Sequence, residues 1–179
     1  MAVRISSSLV VVVTLTYVAN LGAQTWTEFT SDEGQFRAAF PGKPEKSASK
    51  DGDTISTQWS VAMGRTAFNV SCTDVGGESK VATPQNVYKL KVAVLAKQAK
   101  EKRDIKLNGV PGVEFVIDSD EGGGVKLTST VRVFLVDRRI YQAIVVHEQG
   151  AKEGANVRRF LDSFRVQGKG HGKEKQGGI

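Results

Sequence analysis

The stretch "VKLTSTVRVFLVDRRIYQAIVVHE", residues 125–148, decides the architecture. Its first half alternates Val125, Leu127, Val131, Val133 and Leu135 with other residues over thirteen positions, the two-residue period of a β-strand. Asp137, Arg138 and Arg139 turn the chain. The return run places Ile140, Ile144 and Val146 on one face and Tyr141 and Val145 on the other. A strand that is apolar on both faces has to be covered on both sides. The hairpin therefore belongs to the middle of a sheet with layers above and below it.

The neighbouring segments supply the other parts of such a fold. Upstream, "DIKLNGVPGVEFVIDSD" carries an Asn108-Gly109 turn signal and then Val113, Phe115 and Ile117 in alternation, with a glycine-rich turn at 121–124. Earlier still, "DTISTQWSVAM" and "TAFNVSCT" alternate around Gly64-Arg65, a second hairpin signature. Two short strands precede it, at 26–30 and 35–40. In the latter, Phe36, Ala38 and Phe40 share a face. Pro41 and Pro44 withhold ladder donors and stop that strand, and "EKSASKDGD" (45–53) then reads as an exposed polar excursion.

Two helices complete the chain. Thr83 is a suitable N-cap and Pro84 suits the first helical position. The helix-forming run from 84 to 102 has two apolar flanks: Val87, Leu90 and Val94, and next to them Tyr88, Val92, Leu95 and Ala99. Lys89, Lys97, Lys100 and Arg103 project from its opposite side. The last helix spans 155–166, with Val157, Phe160, Leu161 and Phe164 at i, i+3, i+4 and i+7. Strands, helix, strands, helix is the order of an α+β fold, an antiparallel sheet with helices on its faces.

Four short motifs resemble the PsbP-like class of small exported proteins. They are "W-x-x-F" at Trp26–Phe29, "GQFRAAFPGKP" at 34–44, "NGVPGVEF" at 108–115 and "RRFLDSFRV" at 158–166. The resemblance spans Trp26 to Val166. It implies an α-β-α sandwich. It also implies a role without catalysis, since members of the class serve as extrinsic subunits or assembly factors of photosynthetic complexes or as protein-binding modules. None of the motifs is catalytic, no photosynthetic signature accompanies them, and no functional residue of the class can be placed on this chain.

Length and composition agree with one globular domain: 179 residues, 40% apolar, 25% charged, net charge +6. The N-terminus reads as a secretory signal at 1–23. Arg4 precedes the apolar run Leu9–Ala19, and Leu21 and Ala23 stand at −3 and −1 of a cleavage site. The run is short for a membrane span, which takes about 20 residues, and an uncleaved anchor is the competing reading. No cysteine near the site offers a lipid anchor. The domain then covers 24–166, and 167–179 forms a disordered basic tail. Such a chain is expected in the periplasm or outside the cell, touching membranes peripherally at most and binding no nucleic acid. Its single cysteine, Cys72, cannot form an internal disulfide and alternates with Phe68 and Val70 into the core.

Chemical motifs are sparse. Gly42-Lys43 lacks the converging glycine amides, the following Ser/Thr and the helix start of a phosphate loop. Asp118, Asp120 and Glu121 offer hard oxygens to calcium, but Ser129 stands at the twelfth loop position and strands flank the turn, so a solvated hairpin tip is the simpler reading. The Asp51-Gly52-Asp53 pair reads the same way. The two histidines are His147 at a strand end and His171 in the tail. A zinc site would have to join His147, Cys72 and a carboxylate, and a serine hydrolase would need His147 as base without a G-x-S-x-G motif. No enzyme activity, metal or cofactor is expected. The informative excess is positive charge: Lys89, Lys91, Lys97, Lys100, Lys102 and Arg103 against Glu101 alone in 84–103, with Lys43, Lys46 and Lys50 nearer the N-terminus. Lys89, Lys97, Lys100 and Arg103 form the candidate surface for an anionic partner, such as lipid headgroups, acidic polymers or an acidic protein. The leading reading is a module that docks on a protein or envelope complex.

Overall fold

The computed structural model describes residues 25–76 and 83–167. The expected signal segment at 1–23 lies outside them, as do His171 and residues 168–179 of the expected tail.

The deciding hairpin forms as its pattern requires. β8 (Lys126–Val136) and β9 (Arg139–Glu148) pair antiparallel, Val133 opposite Gln142 and Val136 opposite Arg139, and Asp137 takes the left-handed conformation (φ 54°) at the turn. On one side, β7 (Val110–Asp120) and β6 (Glu101–Leu107) extend the sheet. On the other, β5 (Thr66–Val75), β4 (Thr54–Met63) and β3 (Glu45–Asp51) extend it from β9. The result is a seven-stranded sheet in the order β3-β4-β5-β9-β8-β7-β6, antiparallel throughout.

Each face of this sheet carries its own core. Ile140, Ile144, Val131, Val133, Val113 and Phe115 make one, roofed by Val87, Tyr88, Val92 and Leu95 of α1 (Pro84–Gln98). Phe68, Val70, Cys72, Phe134, Tyr141, Ala143 and Val145 line the other. Phe160, Leu161 and Phe164 close that second core from α2 (Gly154–Ser163) and its C-cap. A small sheet shares this face with α2. β1 (Thr27–Ser31) and β10 (Arg165–Val166) flank β2 (Phe36–Phe40), so the layer holds strands as well as a helix. Aromatic rings weld it: Phe36 meets Trp59 at 4.9 Å, Phe40 meets Phe160 at 5.1 Å, and Phe164 meets Phe134 at 6.1 Å. Ser163 Oγ accepts from the Ala39 amide at 2.8 Å and donates to the Phe160 carbonyl at 2.7 Å, tying α2 to β2.

Three boundaries differ from the sequence expectation. Residues 45–51 form the edge strand β3 rather than a loop. All seven are exposed, so no apolar alternation marks them. The readable signal was Asp51-Gly52-Asp53, which makes the β3–β4 turn with Gly52 at φ 56°. α1 ends at Gln98 rather than 102. Its N-cap is as expected, Thr83 Oγ1 accepting from the Asn86 amide at 3.2 Å. At its other end the Lys100 amide bonds to the Val116 carbonyl at 2.9 Å, and Glu101, Lys102 and Arg103 pair with β7, so sheet pairing overrides helix propensity. The last helix stops at Ser163 rather than Val166, because Phe164 turns extended and Arg165 and Val166 pair with Arg37 and Phe36.

Gly112 sits opposite Phe134 in the β7–β8 ladder. A Cβ there would lie 2.3 Å and 2.4 Å from two ring carbons of Phe134, a side chain with no free space to retreat. Gly112→Ala is expected to lower stability by about 2 kcal/mol through overpacking, seen as a lower urea midpoint with unchanged slope. An unchanged midpoint would mean that the ring is not held there.

Candidate functional site

The four cations singled out in the sequence fall into two pairs. Lys89 and Lys97 lie on the outer face of α1, exposed and without an ion-pair partner among the described residues. Between them Leu90, expected to face the sheet, is 66% exposed. The correction follows from helix geometry. Burial of Val87, Tyr88, Val92 and Leu95 fixes the inward stripe, and Leu90 falls on the far side of it.

Lys100 and Arg103 are not on the helix. Lys100 Nζ binds Asp118 Oδ2 at 2.7 Å, and Arg103 binds Glu114 Oε1 at 2.7 Å from β6. Arg103 and Glu114 face the α2 side of the sheet, opposite α1. Both cations, with Glu114, line an open cleft of about 550 Å³. No single surface unites all four.

Glu114 anchors a network that the sequence did not reveal. It is only 5% exposed. Arg132 Nε reaches its Oε2 at 2.6 Å, while the same guanidinium donates to the Leu161 carbonyl at 2.7 Å and to Asp162 Oδ1 at 2.9 Å. One arginine thus fastens the C-terminal turn of α2 to β7 and β8. Burial alone would raise the Glu114 pKa, but hydrogen bonds from Arg103 and Arg132 outweigh it and hold the carboxyl below its usual range. The available signal was Glu114 and Arg132 inside otherwise apolar strands, legible only once the register sets them opposite each other.

Cys72 is buried in the core as expected, and burial pushes its thiol pKa up. Tyr141 stands opposite it in the ladder, and burial lifts its hydroxyl to about 12. Arg139, near by, donates to the Glu33 carbonyl at 3.0 Å and to Asp74 at 3.3 Å. Asp74, Arg139 and Tyr141 border a smaller cleft, of about 210 Å³, with Gln35 and Arg138. His147 pairs with Thr66, six residues along β9 from Tyr141, which puts it roughly 20 Å from Cys72. The zinc grouping is therefore not assembled. Among the described residues no cluster of three or more His, Cys, Asp or Glu is placed to hold a metal ion.

The acidic turn is a hairpin tip whose carboxylates are already engaged. Asp118 takes Lys100 and Thr128, both at 2.7 Å, Asp120 caps the Gly122 amide at 3.0 Å, and Glu121 accepts from Ser119 at 2.9 Å. Gly42 and Lys43 lie in the turn after β2, and among the described residues the next helix begins at Pro84.

Lys91, counted in the positive-charge excess of 84–103, turns inward. Its Nζ donates to Gln142 Oε1 at 2.7 Å over the sheet, and burial depresses its pKa. Its spacing with Val87, Tyr88 and Leu95 along one stripe was the signal that could have placed it.

No protein-family profile and no curated sequence matches this chain. Solved structures resemble it at low identity. Its neighbours include a cyanobacterial PsbP. That solution structure, from Synechocystis, aligns with TM-score 0.49 and 9% identity over 85% of this chain and 98% of that one. A crystal structure from Bacteroides thetaiotaomicron aligns with TM-score 0.47 and 12% identity over 82% of this chain, which spans half the length of that protein. The Ran-binding protein Mog1p of Saccharomyces cerevisiae aligns with TM-score 0.39 and 8% identity over 81% of this chain and 97% of that one. No helix among the described residues is long and apolar enough to cross a membrane.

The Glu114 network has a pH signature. A carboxyl held below its ordinary pKa contributes stability that is complete above the unfolded value of about 4.3 and is lost as pH falls through the folded value. Glu114→Gln leaves Arg132 facing a neutral amide and is expected to cost about 3 kcal/mol at pH 7. It should also flatten the loss of stability below pH 4.3. Urea midpoints of both proteins at pH 7 and pH 3 measure this, and equal midpoints at pH 7 would refute the anchoring role.

Proposed function

We infer that the chain is an exported, non-catalytic interaction module that docks on a protein partner of the cell envelope through the outer face of α1. The observation that carries this reading is Leu90, 66% exposed on a helix whose other side roofs a core, with Lys89 and Lys97 on the same outer face. An isolated apolar side chain on a monomer surface is ordinary. A leucine with Lys89 next to it and Lys97 two turns along the helix, neither cation having a carboxylate partner among the described residues, offers an apolar anchor with a charged rim. The complementary partner presents an apolar pocket ringed by Asp and Glu.

The remaining parts of the reading follow from the sequence. Residues 1–23 have the layout of a cleaved export signal, residues 24–166 form the working domain, and the fold is a variant of the α-β-α sandwich in which a small sheet shares one helical layer. Lys100 and Arg103 answer carboxylates of their own chain, so the docking charge rests on Lys89 and Lys97. The second reading is attraction to an anionic lipid surface or polymer through the same two lysines. It requires binding that collapses as salt shortens the screening length to about 3 Å near 1 M.

A photo-crosslinking residue at position 90 is expected to trap one defined envelope protein, and the same residue at Lys152 is not. Lys89→Glu with Lys97→Glu should reduce the adduct about tenfold. Equal trapping from both positions, or an adduct indifferent to the charge reversal, would defeat the docking face. Binding of the purified protein to anionic vesicles, lost in high salt, would favour the second reading. For export, mass spectrometry of the mature protein should find Gln24 at its N-terminus.

A further inference from the structure

The polar row beneath α1 lies on the opposite side of that helix from Leu90 and has a different chemistry. The ladder aligns Gln58 of β4, Ser71 of β5 and Gln142 of β9 across the sheet, all pointing to the α1 side. α1 packs over β7, β8 and β9, so the row runs from the edge of the helix out across β5 and β4. Burial is graded along it: Gln142 is 7% exposed, Ser71 half-buried and Gln58 exposed. With neighbouring strands about 4.8 Å apart, the row is roughly 10 Å long, the length of one sugar ring with its substituents.

Three features mark it as a site and not only as a wet patch of sheet. Lys91 overhangs its inner end, Nζ at 2.7 Å from Gln142 Oε1, with no carboxylate in contact among the described residues. A cation drawn in from solvent without a counter-charge is costly to keep, and an anion completes it. Next, Asn69, 6% exposed and adjacent on the same face, gives its Nδ2 to Gln58 Oε1 at 3.2 Å, while its Oδ1 is buried and has no partner. A buried acceptor left empty is unusual and calls for a donor. Finally, the Nε2 groups of Gln58 and Gln142 make no hydrogen bond among the described residues, so the row offers donors as well.

We propose that this row binds an acidic sugar of the uronate class, its carboxylate on Lys91 and its hydroxyls across Gln142, Ser71 and Gln58. The length of the row and its mixture of idle donors and an idle acceptor decide the class. Inorganic phosphate keeps a P–OH donor at neutral pH but is too small to reach from Lys91 to Gln58 along a row of roughly 10 Å. A neutral sugar would leave Lys91 without its counter-charge. A uronate carries the carboxylate and, two or three bonds away, hydroxyls that both donate and accept. The burial of Lys91 favours an anion further, since the depressed ammonium is restored by a charge beside it.

The full-length protein is titrated with sodium glucuronate, glucose and inorganic phosphate by calorimetry. Glucuronate is expected to bind saturably, with glucose about tenfold weaker or worse, since a hydrogen bond to a charged group is lost. Lys91→Met should weaken glucuronate about tenfold, and Gln58→Ala, at the exposed end, about threefold. Glucuronate binding that is absent, matched by glucose or phosphate, or untouched by both substitutions overturns the assignment. Should Lys91→Met fail to fold, the Lys91 side-chain NMR signal of the unmodified protein decides: it moves with glucuronate and not with glucose, or the proposal falls.

Discussion

β5 and β9 are buried on both faces, and the rest of the chain is arranged to satisfy them. Val70 and Val145 look one way, Val75 and Ile144 the other, and each direction has to be closed with apolar side chains. The two helices among the described residues can roof both faces only by lying one on each. α1 spends its inward stripe on the face of Ile140 and Ile144. α2, shorter, cannot cover the second face alone, and β1, β2 and β10 fill the remainder with Phe29, Phe36, Phe40 and Val166. The small sheet is thus the completion of an undersized helical layer. The rings of Phe36, Phe160 and Phe164 are its mortar, each fully buried and contributing roughly 2–3 kcal/mol by leaving water.

The polar groups divide according to the same plan. Where a charge enters the α2 face it is matched at once, as Arg132 is by Glu114 and Asp162. On the α1 face the pattern differs. The helix covers an apolar floor but reaches its edge with Lys91 over a glutamine, and the strands beyond carry hydroxyls and amides in place of valines. One face is closed chemistry and the other is open. The edges of the sheet are polar too: β3 is exposed along its whole length, with Lys46 engaging Glu33 and Lys50 beside it, which discourages a second sheet from pairing there.

The parts of this fold legible in the sequence are those written in apolar periodicity. The β4–β5 and β8–β9 hairpins, the Asn108-Gly109 turn and the aromatic stripe of α2 all stand where alternation and spacing put them. β3 was illegible because an edge strand with both faces in water has no apolar pattern to show. The end of α1 was illegible because Glu101, Lys102 and Arg103 favour a helix locally and are claimed by β7 only through contacts distant in sequence. For the surface cations, composition gave their number and not their placement. Whether Lys100 answers Asp118 depends on where α1 ends and on strand register, which no single window of sequence contains, whereas the inward turn of Lys91 is written in its helical spacing with Val87, Tyr88 and Leu95.

The small sheet also sets an order of events. β2 lies between β1, its near neighbour in the chain, and β10, more than a hundred residues later, and the Gln35 carbonyl waits for the Gln167 amide at 2.7 Å. Nascent chain emerges N-terminus first, so the edge of β2 that β10 pairs stays open until the end of the domain is made, and Phe36 and Phe40 lack Phe164 and Phe160 until α2 arrives. Closing the second core therefore needs contacts that span most of the described chain. Truncation ahead of Arg165 would leave β2, the middle strand of the small sheet, with an unpaired edge.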